Sequence, residues 1–168
     1  MLEKCEVKEL DRNVFSMIGD QWMLITAGTK AQCNTMTASW GGLGVLWGTN
    51  VATCYIRPQR YTYRFVERSG FFTLSFLGEE YRKALALCGS RSGRDIDKIK
   101  ECGFTVTAGE GDAPFFQEAE LVLVCRKLYW QDIDPTHFVD PGIDGKWYPE
   151  RDYHRMYIGE IVETYRKK

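Results

Sequence analysis

The chain has 168 residues, 44% of them apolar and 27% charged, with a formal net charge of −1. This length predicts one globular domain over residues 1–168 with a sizeable core, and the balanced charge argues against a nucleic-acid or membrane partner. The six cysteines lack C-x-x-C spacing and only two histidines accompany them, so no metal site is expected. The N-terminus lacks an apolar run, which predicts a cytoplasmic protein with reduced thiols.

Apolar and β-branched runs separated by turn residues recur along most of the chain. They predict strands at 21–28, 33–41, 50–56, 71–77, 103–109, 119–131 and 155–165, six to eight in all. Short helices are predicted at 62–70, with Thr62 as the N-cap, and at 79–89. The Pro- and Gly-containing segment 132–153 is predicted as a long loop, a candidate lid or subunit contact. Because long helices do not alternate with the strands, this order favours a mostly antiparallel barrel over a doubly wound parallel sheet.

The glycine-rich segment 41–48, "GGLGVLWG", does not fit a dinucleotide-binding loop. The G-x-G-x-x-G pattern would need a small residue at position 47, which is Trp47, and no helix is predicted after it. The glycines instead predict a flexible turn or a close approach of backbones.

The segment 89–98, "GSRSGRDIDK", has two interpretations. Ser92 and Asp95 match the capping box of a short helix over 92–102 that ends before Gly103. The same helix start, with serine hydroxyls and the guanidinium of Arg94, is also suited to binding an anion.

A second anion-compatible segment lies at 56–62, "IRPQRYT". It contains Arg57 and Arg60 just before a predicted helix start. Two anion-compatible helix starts in one small chain favour a phosphate-bearing ligand. The strand 34–40, "NTMTASW", places small polar side chains beside one large ring and could contact a flat heterocycle. His137 and His154, taken singly, are more typical of surface or hydrogen-bonded histidines.

These segments occur in a fixed order that resembles a known family. Six motifs follow one another between residues 10 and 165: N-x-M-T-A-S-W-G, Y-I-R-P-Q-R-Y-T, F-F-T-L-S-F, C-G-S-R-S-G-R-D-I-D-K, A-x-L-V-L-x-C-R-K-L-Y and H-R-M-Y-I-G-E-I. The set resembles the flavin reductase-like family, and within it the flavoredoxins. The resemblance implies an antiparallel, Greek-key FMN-binding split β-barrel with short helices, a homodimer, and FMN near the subunit interface.

The resemblance also implies the residues of the FMN site. Those expected along the isoalloxazine ring are Asn34, Thr37, Ala38, Ser39 and Trp40. Those expected around the ribityl phosphate are Arg57, Arg60, Tyr61 and Thr62. Those expected from the segment 89–98 are Ser90, Ser92, Gly93, Arg94 and Lys98. The resemblance also implies His137, with less support from the motif, and His154, with the least support.

The family pattern leaves the redox role open. One hypothesis is an oxidoreductase that passes electrons from NADH or NADPH to a flavin or another acceptor, with FMN as the redox group. The alternatives are an electron-transfer protein reduced by a redox protein partner and a flavin-binding protein without turnover. No catalytic acid or base is identified; Lys98 is the candidate for tuning the flavin, because an ammonium near the ring would stabilise its reduced, anionic form.

Overall fold

The computed structural model describes all residues, 1–168, and is built mainly of antiparallel strands. The strands are β1 (Leu2–Cys5), β2 (Met23–Gly28), β3 (Cys33–Ala38), β4 (Gly41–Leu46), β5 (Thr49–Ile56), β6 (Phe71–Leu77), β7 (Val106–Ala108), β8 (Pro114–Phe116), β9 (Ala119–Asp132) and β10 (Arg155–Lys167). The α-helices are α1 (Val14–Ser16), α2 (Tyr61–Arg68), α3 (Arg82–Ser90), α4 (Lys98–Cys102) and α5 (Pro141–Trp147). The predicted mostly-β fold with short helices is therefore confirmed, with ten strands instead of six to eight.

Eight strands form one curved sheet. Seven of them follow the order β3-β2-β6-β9-β10-β5-β4, and β1 pairs with β10; β7 and β8 form a separate two-stranded ladder. The two ends of this path, β3 and β4, do not pair, yet only Ser39 and Trp40 join them along the chain. Since a connection of two residues can span only about 10 Å, the two sheet ends lie close together. The chain therefore passes directly from one end of the strand order to the other at Ser39 and Trp40.

Apolar residues cover both faces of the sheet. Along β2, Met23 and Ile25 pack into one core cluster while Leu24 packs into a second, as the alternation of side chains along a strand requires. Helix α2 contributes Val66 to the first cluster, and helix α3 contributes Leu85 to the second. The strands therefore appear in the sequence as continuous apolar runs, which is why their positions could be predicted.

The glycine-rich segment 41–48 differs from the prediction of a turn. Gly41–Leu46 is strand β4, paired with β5 through a two-residue hairpin whose Leu46 lies opposite Thr49. The hairpin residues Trp47 and Gly48 both have positive φ, 53° and 71°, as a type I′ turn requires. A Cβ atom on Gly41 would lie 2.7 Å from the Thr53 carbonyl oxygen, so the expected close backbone approach is present at that glycine.

The predicted capping box does not start a helix. The Ser92 hydroxyl accepts a hydrogen bond from the Arg94 N–H instead, and the segment after Ser92 forms turns. Helix α4 begins only at Lys98, with the Asp97 carboxylate as its N-cap, and ends at Gly103 in the left-handed conformation. The predicted end of the helix is right, and its predicted start is six residues too early.

Two other expectations require correction. Helix α2 begins at Tyr61 after Arg60, so Thr62 lies inside its first turn and is not the N-cap. The segment 132–153 is not a structureless loop, because it contains a 3₁₀ turn and helix α5, each beginning with a proline capped by the preceding aspartate. No helix in the chain combines the length and the apolar character needed to cross a membrane.

Candidate functional site

A cleft of about 270 Å³ opens at the junction of β3 and β4. We call it the Trp40 cleft; its lining residues are Met36, Thr37, Ala38, Ser39, Trp40, Tyr55, Arg57, Arg60, Trp147 and His154. Its walls include β3, held by its ladder with β2, and Tyr55 of β5, held by its ladder with β4. It is therefore a site built on rigid strands with small polar groups on one side.

Aromatic rings form the other side of the Trp40 cleft. The Trp40 ring centroid lies 5.2 Å from that of Trp147 and 5.0 Å from that of His154. His154 is buried, and its Nδ1 is 2.8 Å from the Tyr148 hydroxyl. Burial, together with the nearby Arg57 guanidinium, lowers the pKa of His154 to about 4. The imidazole is therefore neutral at pH 7, and this wall suits a flat, uncharged ring.

Arg57 is held in the cleft wall by contacts with the 147–152 segment. Its guanidinium pairs with the Asp152 carboxylate at 2.7 Å, donates to the Trp147 carbonyl at 3.0 Å, and lies 5.1 Å from the Tyr148 ring centroid. Gln59 donates to the same carboxylate at 2.6 Å. These contacts engage the guanidinium, so Arg57 fastens the 147–152 segment to the end of β5 beside the cleft.

A second cleft, of about 520 Å³, is formed by β3, helix α2 and the 93–99 segment. We call it the Gly93 cleft; its lining residues are Lys30, Ala31, Gln32, Cys33, Asn34, Tyr61, Phe65, Gly93, Arg94, Asp95, Ile96, Asp97, Lys98, Ile99 and Val106. This volume lies within the range of roughly 300–1,000 Å³ typical of small-molecule sites. A Cβ atom on Gly93 would collide with the Asn34 side chain, so this position needs glycine for the turn to approach β3.

Arg94 presents free donors at the mouth of the Gly93 cleft. Its guanidinium lies 4.9 Å from the Tyr61 ring centroid, and Nη1 donates to the Gln59 carbonyl at 3.1 Å. The residue is exposed, and its other guanidinium N–H groups have no protein partner. A guanidinium oriented in this way can bind a phosphate through two donors at once.

Two cations meet between the clefts with no carboxylate beside them. Lys98, only 4% exposed, donates from Nζ to the carbonyls of Cys88 at 2.8 Å and Thr35 at 3.0 Å. From the Trp40 cleft, Arg60 donates to the same Cys88 carbonyl at 3.3 Å and to that of Gly89 at 2.9 Å. Burial, reinforced by the Arg60 charge, lowers the pKa of Lys98 to about 8. The two cations therefore share one neutral acceptor, the Cys88 carbonyl.

The structure divides the predicted FMN residues between the two clefts. Those in the Trp40 cleft are Thr37, Ala38, Ser39, Trp40, Arg57 and Arg60. Those in the Gly93 cleft are Asn34, Tyr61, Gly93, Arg94 and Lys98. Arg60, which lines the first cleft, and Lys98, which lines the second, donate to the same Cys88 carbonyl, so the two clefts are neighbours.

Four predicted residues line neither cleft. The Thr62 hydroxyl accepts from the Asn34 amide at 2.7 Å and so positions Asn34, while Ser90 donates to the Ala86 carbonyl within its own helix. Ser92 shapes the turn before Gly93. His137 lies on an exposed 3₁₀ turn, 3.8 Å from the Asp134 carboxylate, and the structure does not bring it to either cleft of this chain.

Sequence reasoning missed Trp147 and Tyr55 and gave His154 the least weight. Trp147 ends helix α5, inside a segment predicted as a loop, and only its aromatic neighbour Tyr148 distinguishes it in the sequence. His154 immediately precedes β10, so its place beside Trp40 follows from the pairing of β10 with β5.

Solved structures share this fold. An FMN-binding domain of a flavin reductase-like enzyme from Shewanella baltica superposes with a TM-score of 0.70 at 18% identity, over 99% of this chain and 77% of that one. A flavoredoxin from Methanosarcina acetivorans gives 0.69 at 24% identity, over 98% and 77%. An NADH:FAD oxidoreductase from Streptomyces globisporus, in complex with NAD and FAD fragments, gives 0.64 at 17% identity, over 88% and 74%. The fold is therefore that of the FMN-binding split-barrel proteins.

The sequence places the chain in a family as well. The model of the flavin reductase like domain matches residues 15–168, so the chain belongs to the flavin reductase-like family, as the ordered motifs predicted. A curated relative, an uncharacterized protein from Aeropyrum pernix, is 26% identical over 94% of this chain. The chain spans 63% of the length of that relative.

Proposed function

We propose that this protein is an FMN-binding oxidoreductase that passes electrons from NADH or NADPH to a flavin or another acceptor. The observation that carries the proposal is the pair of cations, Arg60 and Lys98, that share the Cys88 carbonyl between the two clefts. Burying a charge is costly unless an opposite charge or hydrogen bonds compensate it; backbone carbonyls accept hydrogen bonds from both cations here, but neither cation has a carboxylate partner. A phosphate from a ligand would supply the missing negative charge.

The residues present fit FMN in both chemistry and placement. Arg60, Arg94 and Lys98 would hold the phosphate end, and Thr37, Ser39 and Trp40 would contact the flat ring. The FMN supplies the redox chemistry when bound. The chain's own contribution is to orient the ring between strand β3 and the Trp147–His154 wall, to exclude water with the aromatic side chains, and to keep His154 neutral beside it.

Electron transfer from a protein partner is the second candidate function. Its support is the fold shared with flavoredoxins from two organisms, at 24% and 22% identity. In that case the open Trp40 cleft would face a redox partner instead of a nicotinamide. The two functions differ in the source of electrons and not in the FMN site.

Anaerobic stopped-flow mixing of the holoprotein with NADH and with NADPH separates the two functions. The purified protein is expected to release FMN, not FAD, on denaturation. We expect its flavin absorbance to bleach rapidly with at least one of the two nucleotides, because a nicotinamide could stack at the open Trp40 cleft.

Dithionite is the control, since it reduces bound flavin without a nucleotide site. Bleaching by dithionite but by neither nucleotide would refute the reductase and favour the electron carrier. A protein that neither contains nor binds FMN would refute both.

We also propose a homodimer. Val45, Leu46 and Trp47 on the β4–β5 hairpin are exposed, and the Trp47 ring lies 6.0 Å from that of Tyr129 on β9, next to the half-exposed Trp130. An apolar patch of this kind is typical of an interface between subunits. A second copy of the chain is the proposed occupant, in agreement with the family resemblance.

Charge in this patch should separate the subunits. Light scattering is expected to give a dimer for the wild type and a monomer for Trp47→Glu, because an interface core cannot bury an unpaired carboxylate. Val139→Glu, at a residue that is 98% exposed and lies outside the patch, is the control and should remain dimeric. A wild-type monomer at micromolar concentration would contradict the proposal.

A further inference from the structure

Two of the six free cysteines are in contact. Cys88 in α3 and Cys102 at the end of α4 have their Sγ atoms 3.8 Å apart, and no other two cysteines make such a contact. The two residues are 14 positions apart in sequence. The segment between them contains Gly93, Arg94 and Lys98, so this thiol pair encloses the proposed phosphate site.

We propose that Cys88 and Cys102 are a reversible dithiol–disulfide pair, oxidised by hydroperoxides, that fastens α3 to α4 around the 89–97 segment. A disulfide has an S–S distance of about 2.05 Å, so the two sulfur atoms must approach by about 1.8 Å. The two helices meet in one apolar cluster, and Cys102 lies just before the left-handed Gly103, where the helix ends. The closure therefore involves the end of one short helix and leaves the sheet in place.

The surroundings assign a different role to each thiol. Cys88 is fully buried, and burial raises its pKa to about 12. Cys102 is half-buried; burial raises its pKa too, while the hydrogen bond with Cys88 and the nearby Lys98 ammonium lower it. Cys102 is thus the thiol that a peroxide can reach, and Cys88 is the one that resolves the product. Because both pKa values are raised, we expect oxidation over minutes to hours.

The two steps balance with hydrogen peroxide as the oxidant. The Cys102 thiolate attacks one peroxide oxygen, the O–O bond breaks, and the leaving hydroxide takes a proton to become water, which leaves a sulfenic acid on Cys102. The Cys88 sulfur then attacks the Cys102 sulfur, the S–O bond breaks, and a second water leaves with the Cys88 proton. Overall, two thiols are oxidised and one peroxide is reduced to two waters.

The test uses the 168-residue chain, incubated with hydrogen peroxide and then digested with trypsin plus a glutamate-specific protease. Cleavage by the two proteases places Cys88 in the peptide 84–91 and Cys102 in the peptide 102–110, while Cys125 falls in a different peptide. We expect these two peptides to be linked, with the mass of two hydrogen atoms lost, and dithiothreitol to separate them. We also expect slower hydrogen exchange in 89–97 and a higher Tm in the oxidised protein, because the closed loop restrains the unfolded chain.

Two variants provide matched controls. Cys102→Ser should abolish both the linked peptide and the Tm increase, while Cys33→Ser, at another half-buried cysteine, should preserve both. Three outcomes would each overturn the proposal: oxidation of Cys102 to sulfinic acid without a disulfide, a disulfide between other cysteines, or six intact thiols after peroxide treatment. The wild-type comparison of oxidised and reduced protein decides the matter even if a variant fails to fold.

Discussion

Lys98→Gln is expected to weaken FMN binding about tenfold or more at pH 7. The amide can still donate to one of the carbonyls of Thr35 and Cys88, which the ammonium now contacts, but it carries no charge. A hydrogen bond to a charged group contributes about 1.5–3 kcal/mol, and about 1.4 kcal/mol corresponds to a factor of ten in Kd. Fluorescence titration of the apoprotein measures the change, and Lys100→Gln, at an exposed lysine in the same helix, is the control.

The pH dependence of binding identifies the ammonium itself. Burial lowers the pKa of Lys98 to about 8 in the free protein, and a bound phosphate should raise it again. Above pH 8 the free protein must therefore take up a proton to bind FMN, so the wild-type affinity should fall as the pH rises, by up to tenfold per unit. In Lys98→Gln this decline should disappear. If both proteins decline equally, Lys98 lies outside the phosphate site.

The reduction potential gives a second readout for Lys98. A fixed positive charge beside the ring favours the reduced, anionic flavin, so removing an ammonium at the ring should lower the two-electron potential of bound FMN, whereas removing one at the proposed phosphate end should leave it nearly unchanged. A change of about 30 mV corresponds to about 1.4 kcal/mol. Spectroelectrochemical titration at one ionic strength measures it. An unchanged potential together with weakened binding would place Lys98 at the phosphate end and not at the ring.

Sequence patterns predicted the elements that bury long apolar runs. Strand β6 was predicted at its observed bounds and β9 to within one residue, since nearly every residue in their paired halves faces a core cluster. Strand β4 was missed because glycine has little strand preference of its own. What keeps Gly41–Leu46 extended is the ladder with β5, a tertiary interaction that the local sequence does not reveal.

The candidate site was predictable in its residues but not in its arrangement. The ordered motifs identified eleven residues that line the two clefts, yet no pattern indicated that Arg57 would bind Asp152, 95 positions away. The start of α4 was misplaced for a similar reason. Ser92 and Asp95 match a capping box locally, but Gly93 packs against Asn34 of β3, and the resulting turn delays the helix until Asp97.

Arg94→Ala is expected to weaken the binding of FMN much more than that of riboflavin. Riboflavin lacks the phosphate, so only FMN loses the guanidinium contact when the side chain is removed. Arg94 is exposed and lines the Gly93 cleft, while Nη1 donates to the Gln59 carbonyl and the guanidinium lies over the Tyr61 ring. This positioning reduces the entropy lost on binding, and a charged, two-donor contact should contribute about 1.5–3 kcal/mol.

Arg91→Ala is the matched control, because Arg91 is exposed in the same segment but lines neither cleft. Calorimetric titration of each variant with FMN and with riboflavin gives the four affinities needed. The ratio of riboflavin Kd to FMN Kd should fall at least tenfold in Arg94→Ala and remain at the wild-type value in Arg91→Ala. An equal loss for both ligands would mean that Arg94 acts by supporting Tyr61 and the turn before Lys98. In that case Arg60 and Lys98 alone would remain as the phosphate-binding cations.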